Sequence, residues 1–109
     1  MKYLENKRIY GLLGLARRAG KLSFGTESSI ETIEKKKAKL VIVATDSSDR
    51  TKKNFKELCE KYNIPIRIIG TIDDLSKSIG QINKAVFVIK EENFAKELIK
   101  RIDGGEIIG

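Results

Sequence analysis

The sequence predicts an α/β fold: a three-layer α/β/α sandwich built on a mixed sheet of about four strands. Three observations carry this. Residues 40–44, Leu-Val-Ile-Val-Ala, and 85–89, Ala-Val-Phe-Val-Ile, are continuous apolar runs of strand length, the mark of strands buried on both faces. Apolar residues at helical spacing form faces at Ile9, Leu12, Leu13 and Ala16, at Phe55, Leu58, Cys59 and Tyr62, and at Phe94, Leu98, Ile99 and Ile102. Strand and helix patterns alternate over most of the chain, so helices are available to cover both faces of the sheet.

The first helix carries the Ile9 face, with Asn6 as its expected N-cap and Gly20 as its C′ stop. Gly11 and Gly14 each cost such a helix about 1 kcal/mol against Ala, which close packing on the sheet would explain. They follow no strand and lack the G-x-G-x-x-G spacing, which excludes a nucleotide loop. Residues 21–24 make a short edge strand, expected to pair antiparallel. Gly25 or Thr26 opens the second helix, which turns Ser29, Ile30 and Ile33 inward and ends in the basic turn of Lys35, Lys36, Lys37 and Lys39.

After the strand 40–44, the cap residues Asp46, Ser47, Ser48 and Asp49 start a third helix. Cys59 lies on its apolar face and is read as an inert core thiol. Pro65 marks the entry to a strand over 66–69, Gly70-Thr71 turns the chain, and Asp73-Asp74 open a short helix to Ile79. Residues 80–84 loop into the strand 85–89. Asp73-Asp74 and Glu91-Glu92 are read as first-turn acids that complement helix dipoles, because side chains at i and i+1 point apart. Residues 103–109 are expected to fray.

With 109 residues the chain is sized for one domain, 1–109, around a single core. Charged residues make up 34% and hydrophobic ones 40%, which suits a globular protein. No apolar run approaches the roughly 18 residues of a membrane span. The start, MKYLENKRIY, has no signal-peptide core, and the lone Cys59 fits a reducing compartment, so a cytoplasmic protein is expected. Without histidine, zinc spacing, a P-loop or a catalytic triad, no enzyme, cofactor, metal or small-molecule substrate is expected.

Charge is one-sided. Residues 1–53 hold 13 Lys/Arg and 6 Asp/Glu, whereas 54–109 hold 9 of each, so the whole net charge of +7 lies in the first half. That is the electrostatic footprint of a polyanion binder. Within this half, residues 16–48 place Arg17, Arg18 and Lys21 before the helix-opening pair Gly25-Thr26, and Lys35 and Lys36 at the helix's far end. A glycine-opened helix start offers free N–H groups and a partial positive charge, which suit a phosphate. Basic residues on both sides would extend such a site along a nucleic-acid backbone.

The ordered set Gly20-Lys21, Gly25-Thr26, a helix, then Lys37 through Ala44 ending at Asp46 resembles the ribosomal kink-turn-binding proteins. The string Leu12-Leu13-Gly14-Leu15-Ala16-Arg17-Arg18-Ala19-Gly20-Lys21 looks like their bacterial, YlxQ-type branch. The resemblance implies a non-catalytic binder of structured RNA, ribosomal RNA included. It implies that the second helix's start docks into a sharply bent backbone, and that the loop holding Gln81, Ile82 and Asn83 covers extruded bases. Lys21 matches a strand lysine of the family, and Lys35 stands where an arginine is common. The family usually carries Asn, Glu and, three further on, Lys after its Gly-Thr pair, where this chain has Glu27, Ser28 and Glu31. Two carboxylates repel phosphate, so these departures bear on kink-turn specificity. A recognition subunit of an RNA-modifying enzyme and a protein-interaction module also suit the fold; the basic half favours RNA over both.

Overall fold

Leu40-Val41-Ile42-Val43 belongs to two cores at once. Leu40 and Ile42 pack with Ile9, Leu13, Leu75, Phe87 and Leu98, while Val41 and Val43 pack with Ile33, Phe55, Cys59, Val86 and Val88. Successive residues of a strand point to opposite faces, so an all-apolar strand must be covered on both. A computed structural model of the protein describes the backbone of residues 2–104 and the side chains of 7–104.

The elements run α1 (Lys2–Arg18), β1 (Leu22–Phe24), α2 (Thr26–Glu34), β2 (Leu40–Val43), α3 (Asp49–Tyr62), β3 (Ile66–Ile68), α4 (Ile72–Ser78), β4 (Val86–Ile89) and α5 (Glu92–Asp103). The sheet order is β1-β4-β2-β3, with β2 and β3 parallel and β4 antiparallel to both of its neighbours. Helices α1, α4 and α5 cover one face, and α2 and α3 the other. The three-layer sandwich on a mixed four-stranded sheet is therefore as expected, including the antiparallel edge strand β1.

Helix ends follow their chemistry. Gly20, at φ +72°, closes α1 with paired bonds from its own N–H to Arg17 O and from Lys21 N–H to Ala16 O. Ser48, Thr71 and Glu91 cap α3, α4 and α5 through their side-chain oxygens. The bonds that Glu91 accepts from the Phe94 and Asn93 amides, with the nearby charge of Lys21, hold its carboxyl below the usual carboxylate range. Burial pushes the Cys59 thiol up to about 11, which leaves it un-ionised and unreactive near neutrality.

Four expectations are corrected. The first helix begins at Lys2, so Asn6 lies inside it and is no cap. Thr32 joins the buried face of α2, where its hydroxyl meets Ser23 Oγ at 2.8 Å, and Ile30 is only half-buried. Asp103 does not fray: it ends α5 and receives both Arg67 Nε (2.9 Å) and Nη2 (2.6 Å). Residues 105–109 of the expected frayed tail lie outside the described residues. The fourth correction concerns the α1 glycines, neither of which packs on the sheet. A Cβ at Gly14 would stand 2.9 Å from the Ser78 carbonyl oxygen of α4, whereas one at Gly11 would meet nothing within 4 Å.

Opposite effects of one substitution follow. Gly11→Ala is expected to stabilise by about 1 kcal/mol through helix propensity alone. Gly14→Ala is expected to destabilise by about 1–2 kcal/mol, since the same gain offsets only part of the cost of overpacking against backbone. Urea denaturation of the two variants decides it; shifts of the same sign would refute the assigned contact.

Candidate nucleic-acid interface

Strands β1, β2 and β3 all run the same way, because β4 is antiparallel to both β1 and β2 and β3 is parallel to β2. Their carboxyl ends therefore share one end of the sheet, and α2, α3 and α4 all begin there. Gly25 makes the turn from β1 into α2 at φ +87° and ψ 159°, a conformation open almost only to glycine. Its N–H donates to Val86 O at 2.9 Å, and its carbonyl accepts from Ser29 N–H at 3.0 Å. A Cβ there would meet nothing within 4 Å, so the approach to the helix start is open. The glycine is required by the backbone itself as well as by any approaching group.

Unlike α3, α4 and α5, α2 has no side-chain cap. Its first-turn N–H groups have no partner within the helix, and the exposed Thr26 and Glu27 flank them. The loop through Gln81, Ile82 and Asn83 rises at the same end. Gly80 (φ +71°) and Asn83 (φ +56°) bend it, and Ile82 at its tip is 82% exposed. Its base is clamped by Ser76, whose hydroxyl accepts from Lys84 N–H (2.8 Å) and donates to Lys84 O (3.0 Å), while Gln81 N–H donates to Ser76 O (2.8 Å).

Arg17 ties these parts together. Its Nη1 donates to Ile79 O at 3.1 Å, and its guanidinium lies 4.7 Å from the Phe24 ring centre. Lys84 Nζ stands 5.7 Å from the same ring. Arg17 is therefore a brace between α1, β1 and the loop as well as a source of positive charge. Arg18 lies back along α1, its Nη1 3.6 Å from where a Gly14 Cβ would be.

The remaining basic candidates are elsewhere. Lys21 precedes β1 and Lys35 and Lys36 follow α2, so they stand at the opposite end of the sheet from Gly25. Lys35 pairs with Glu31 at 3.5 Å, both side chains largely exposed, a contact worth little in water. Apart from Arg18, the candidates thus form two groups rather than one track around Gly25. At the Gly25 end stand Arg17, Gly25, Thr26, Glu27, Gln81, Ile82 and Asn83; at the other are Lys21, Lys35 and Lys36.

Sequence reasoning missed Phe24, Ser76, Lys84 and Lys90. Phe24 read as one residue of an edge strand, and Ser76 as one of a short helix. Lys90 sits beside Glu91-Glu92 in sequence, and only strand pairing brings it to Lys21, whose carbonyl accepts its N–H at 2.8 Å. Among the described residues no helix is long and apolar enough to cross a membrane.

Known proteins resemble this chain in sequence and in fold. The RNA-binding protein YlxQ of Enterococcus faecium is 39% identical over 100 residues, covering 92% of this chain and 96% of the relative. Its counterpart in Bacillus subtilis is 34% identical over 94 residues, 86% and 94% of the two chains. A solved structure of a protein with unknown function from Bacillus halodurans superposes with a TM-score of 0.84 at 33% identity, covering 87% of this chain and 96% of that one. The 15.5kD RNA binding protein of Giardia lamblia, at 19% identity, shares the fold alone: TM-score 0.77 over 92% of this chain and 88% of that one. The family model of the ribosomal protein L7Ae/L30e/S12e/Gadd45 proteins matches residues 7–99, and the chain belongs to that family.

Proposed function

We propose that the protein is a non-catalytic binder of structured RNA, with residues 1–109 acting as one RNA-binding domain. The observation that carries this is the juxtaposition at one end of the sheet. The uncapped, glycine-opened start of α2, the exposed Ile82 and the cations Arg17 and Lys84 around Phe24 all meet there. The helix start takes a phosphate of a bent backbone, and Ile82 covers a base that the bend has unstacked. The RNA-binding YlxQ relatives, similar over most of both chains, support the same reading. Ribosomal RNA, in the cytoplasm, is the proposed source of such bends.

Glu27 and Glu31 shape which RNA is preferred. A carboxylate offers acceptors only, so Glu27 favours base edges that present donors, such as the cytosine amino group, over acceptor-rich ones. Glu31, one turn on, adds a second negative charge, which Lys35 offsets only at the surface. Binding to a standard kink-turn is therefore weak, and bent or looped RNA with donor edges is preferred. The double substitution Glu27→Asn with Glu31→Lys is expected to strengthen kink-turn binding tenfold or more, about 1.4 kcal/mol. Gel-shift titration with a kinked duplex and an unkinked control reads this directly. Tight, selective binding by the unmodified protein would show that the two carboxylates are no obstacle. A double variant without gain or selectivity would overturn the helix start as an RNA site.

A further inference from the structure

At the end of the sheet away from Gly25, five lysines converge on ground that no carboxylate lines. Lys21, Lys36, Lys37, Lys39 and Lys90, with Gly20, enclose a shallow basin of about 410 Å³. Strand pairing builds it: Lys90 N–H donates to Lys21 O at 2.8 Å, and Lys39 N–H to Ile89 O at 2.7 Å. Lys36 sits at φ +61°, a left-handed conformation that glycine would adopt more readily, yet the position holds a cation. Among the described residues none of the five lysines is in a salt bridge, and the nearby Glu91 carboxyl acts on Lys21, so most of their mutual repulsion is left for solvent or a ligand to relieve.

A groove of about 870 Å³ adjoins the basin and shares Lys36 and Lys39 with it. Ala38, Ile64, Pro65 and Ile99 give it an apolar wall. Tyr62 also lines it, with Lys61 Nζ 5.6 Å from the ring centre. Lys61 and Lys96 continue the positive rim, and Glu92 is the one carboxylate among its lining residues. A positive track beside apolar and aromatic surface is what proteins use to hold single strands: phosphates on the cations, bases against the apolar wall. A duplex, with its bases stacked inside, could not use the groove.

We infer that this end binds single-stranded RNA, with phosphates in the lysine basin and an unstacked base in the adjoining groove. The inference rests on the RNA-binding reading of the Gly25 end and extends it. The protein is two-ended, holding a structured element at one end of the sheet and that element's single-stranded flank at the other. The two ends are separated by α2, whose nine residues span about 13 Å, so one RNA reaches both.

Fluorescence anisotropy with the full chain and three probes tests it: a kink-turn duplex, the same duplex with a ten-nucleotide uridine tail, and decauridylate alone. The tail length lies within the roughly 4–16 nucleotides that single-strand grooves hold. The tail is expected to raise affinity at least tenfold. Lys36→Glu, Lys39→Glu and Lys90→Glu together should abolish that gain and weaken decauridylate binding at least tenfold, while changing binding to the untailed duplex less than threefold. Reversal at Lys56, Lys77 and Lys100 should keep the gain. If the first triple variant fails to fold, as read by its melting curve, glutamine at the same three positions should give the same loss. A 4-thiouridine in the tail should crosslink to residues 61–65 or to α5. A tail that adds nothing, a gain that survives the basin variants, or crosslinks confined to the Gly25 end would overturn the inference. Failure of the helix-start reading shows separately, as no gain by Glu27→Asn with Glu31→Lys on the untailed duplex.

Discussion

Raising salt fourfold, from 50 to 200 mM, is expected to weaken binding of decauridylate about a hundredfold. Each single-strand phosphate neutralised contributes a slope of about −0.7 to log affinity against log salt, so five lysines give about −3.5. The variant with Lys36, Lys39 and Lys90 reversed keeps two basin lysines and falls to a slope of about −1.4 or shallower, no more than about sevenfold over the same range. The effect is large because among the described residues none of these lysines is in a salt bridge, so counterions screen the basin until RNA displaces them. Anisotropy titrations at four salt concentrations give both slopes. Parallel slopes for the two proteins would mean that phosphates lie elsewhere.

Phe87→Ala is expected to cost about 3–5 kcal/mol, the usual loss for a fully buried phenylalanine whose cavity cannot collapse. Among the described residues Phe87 is the largest fully buried side chain, and it lies on β4, paired across the sheet with Phe24 on one side and Ile42 on the other. Set against a typical total of about 5–15 kcal/mol, that is a large share of the stability. The urea midpoint should fall sharply with its slope unchanged. Because Phe24 carries Arg17 and Lys84, RNA binding should weaken with it even where the variant remains mostly folded. A loss below about 1 kcal/mol would mean that neighbouring side chains refill the space.

The layers of the fold were legible because β2 and β4 are buried on both faces and say so by being continuously apolar. The strand order was not, since nothing in residues 85–89 says that this strand enters between β1 and β2. The site divides in the same way. Gly25, Thr26 and Ile82 were found because a backbone conformation or an exposed apolar tip leaves a local signature. The division of the basic residues into two groups was invisible, because Lys21 and Gly25 are neighbours in sequence. An extended strand rises about 3.3 Å per residue, so the four steps from Lys21 through β1 to Gly25 carry them about 13 Å apart. Arg17 was picked out for its charge, but its bond to Ile79 O joins groups 62 residues apart, which no local pattern records.

The position of β4 also sets when the protein becomes competent during its synthesis. It is the last strand to leave the ribosome, yet β1 and β2 have no bonded contact except through it. Until residue 89 emerges, β1 has no strand to pair with, and the Gly25–Val86 bond that anchors the start of α2 cannot form. The lysine basin waits on the same event, because Lys90 follows that strand. Only β2 and β3 with the helix between them can assemble early, and the long-range pairings must follow. A nascent chain is therefore a basic polypeptide without an organised RNA surface for most of its translation, and both ends of the sheet are completed together in one late insertion.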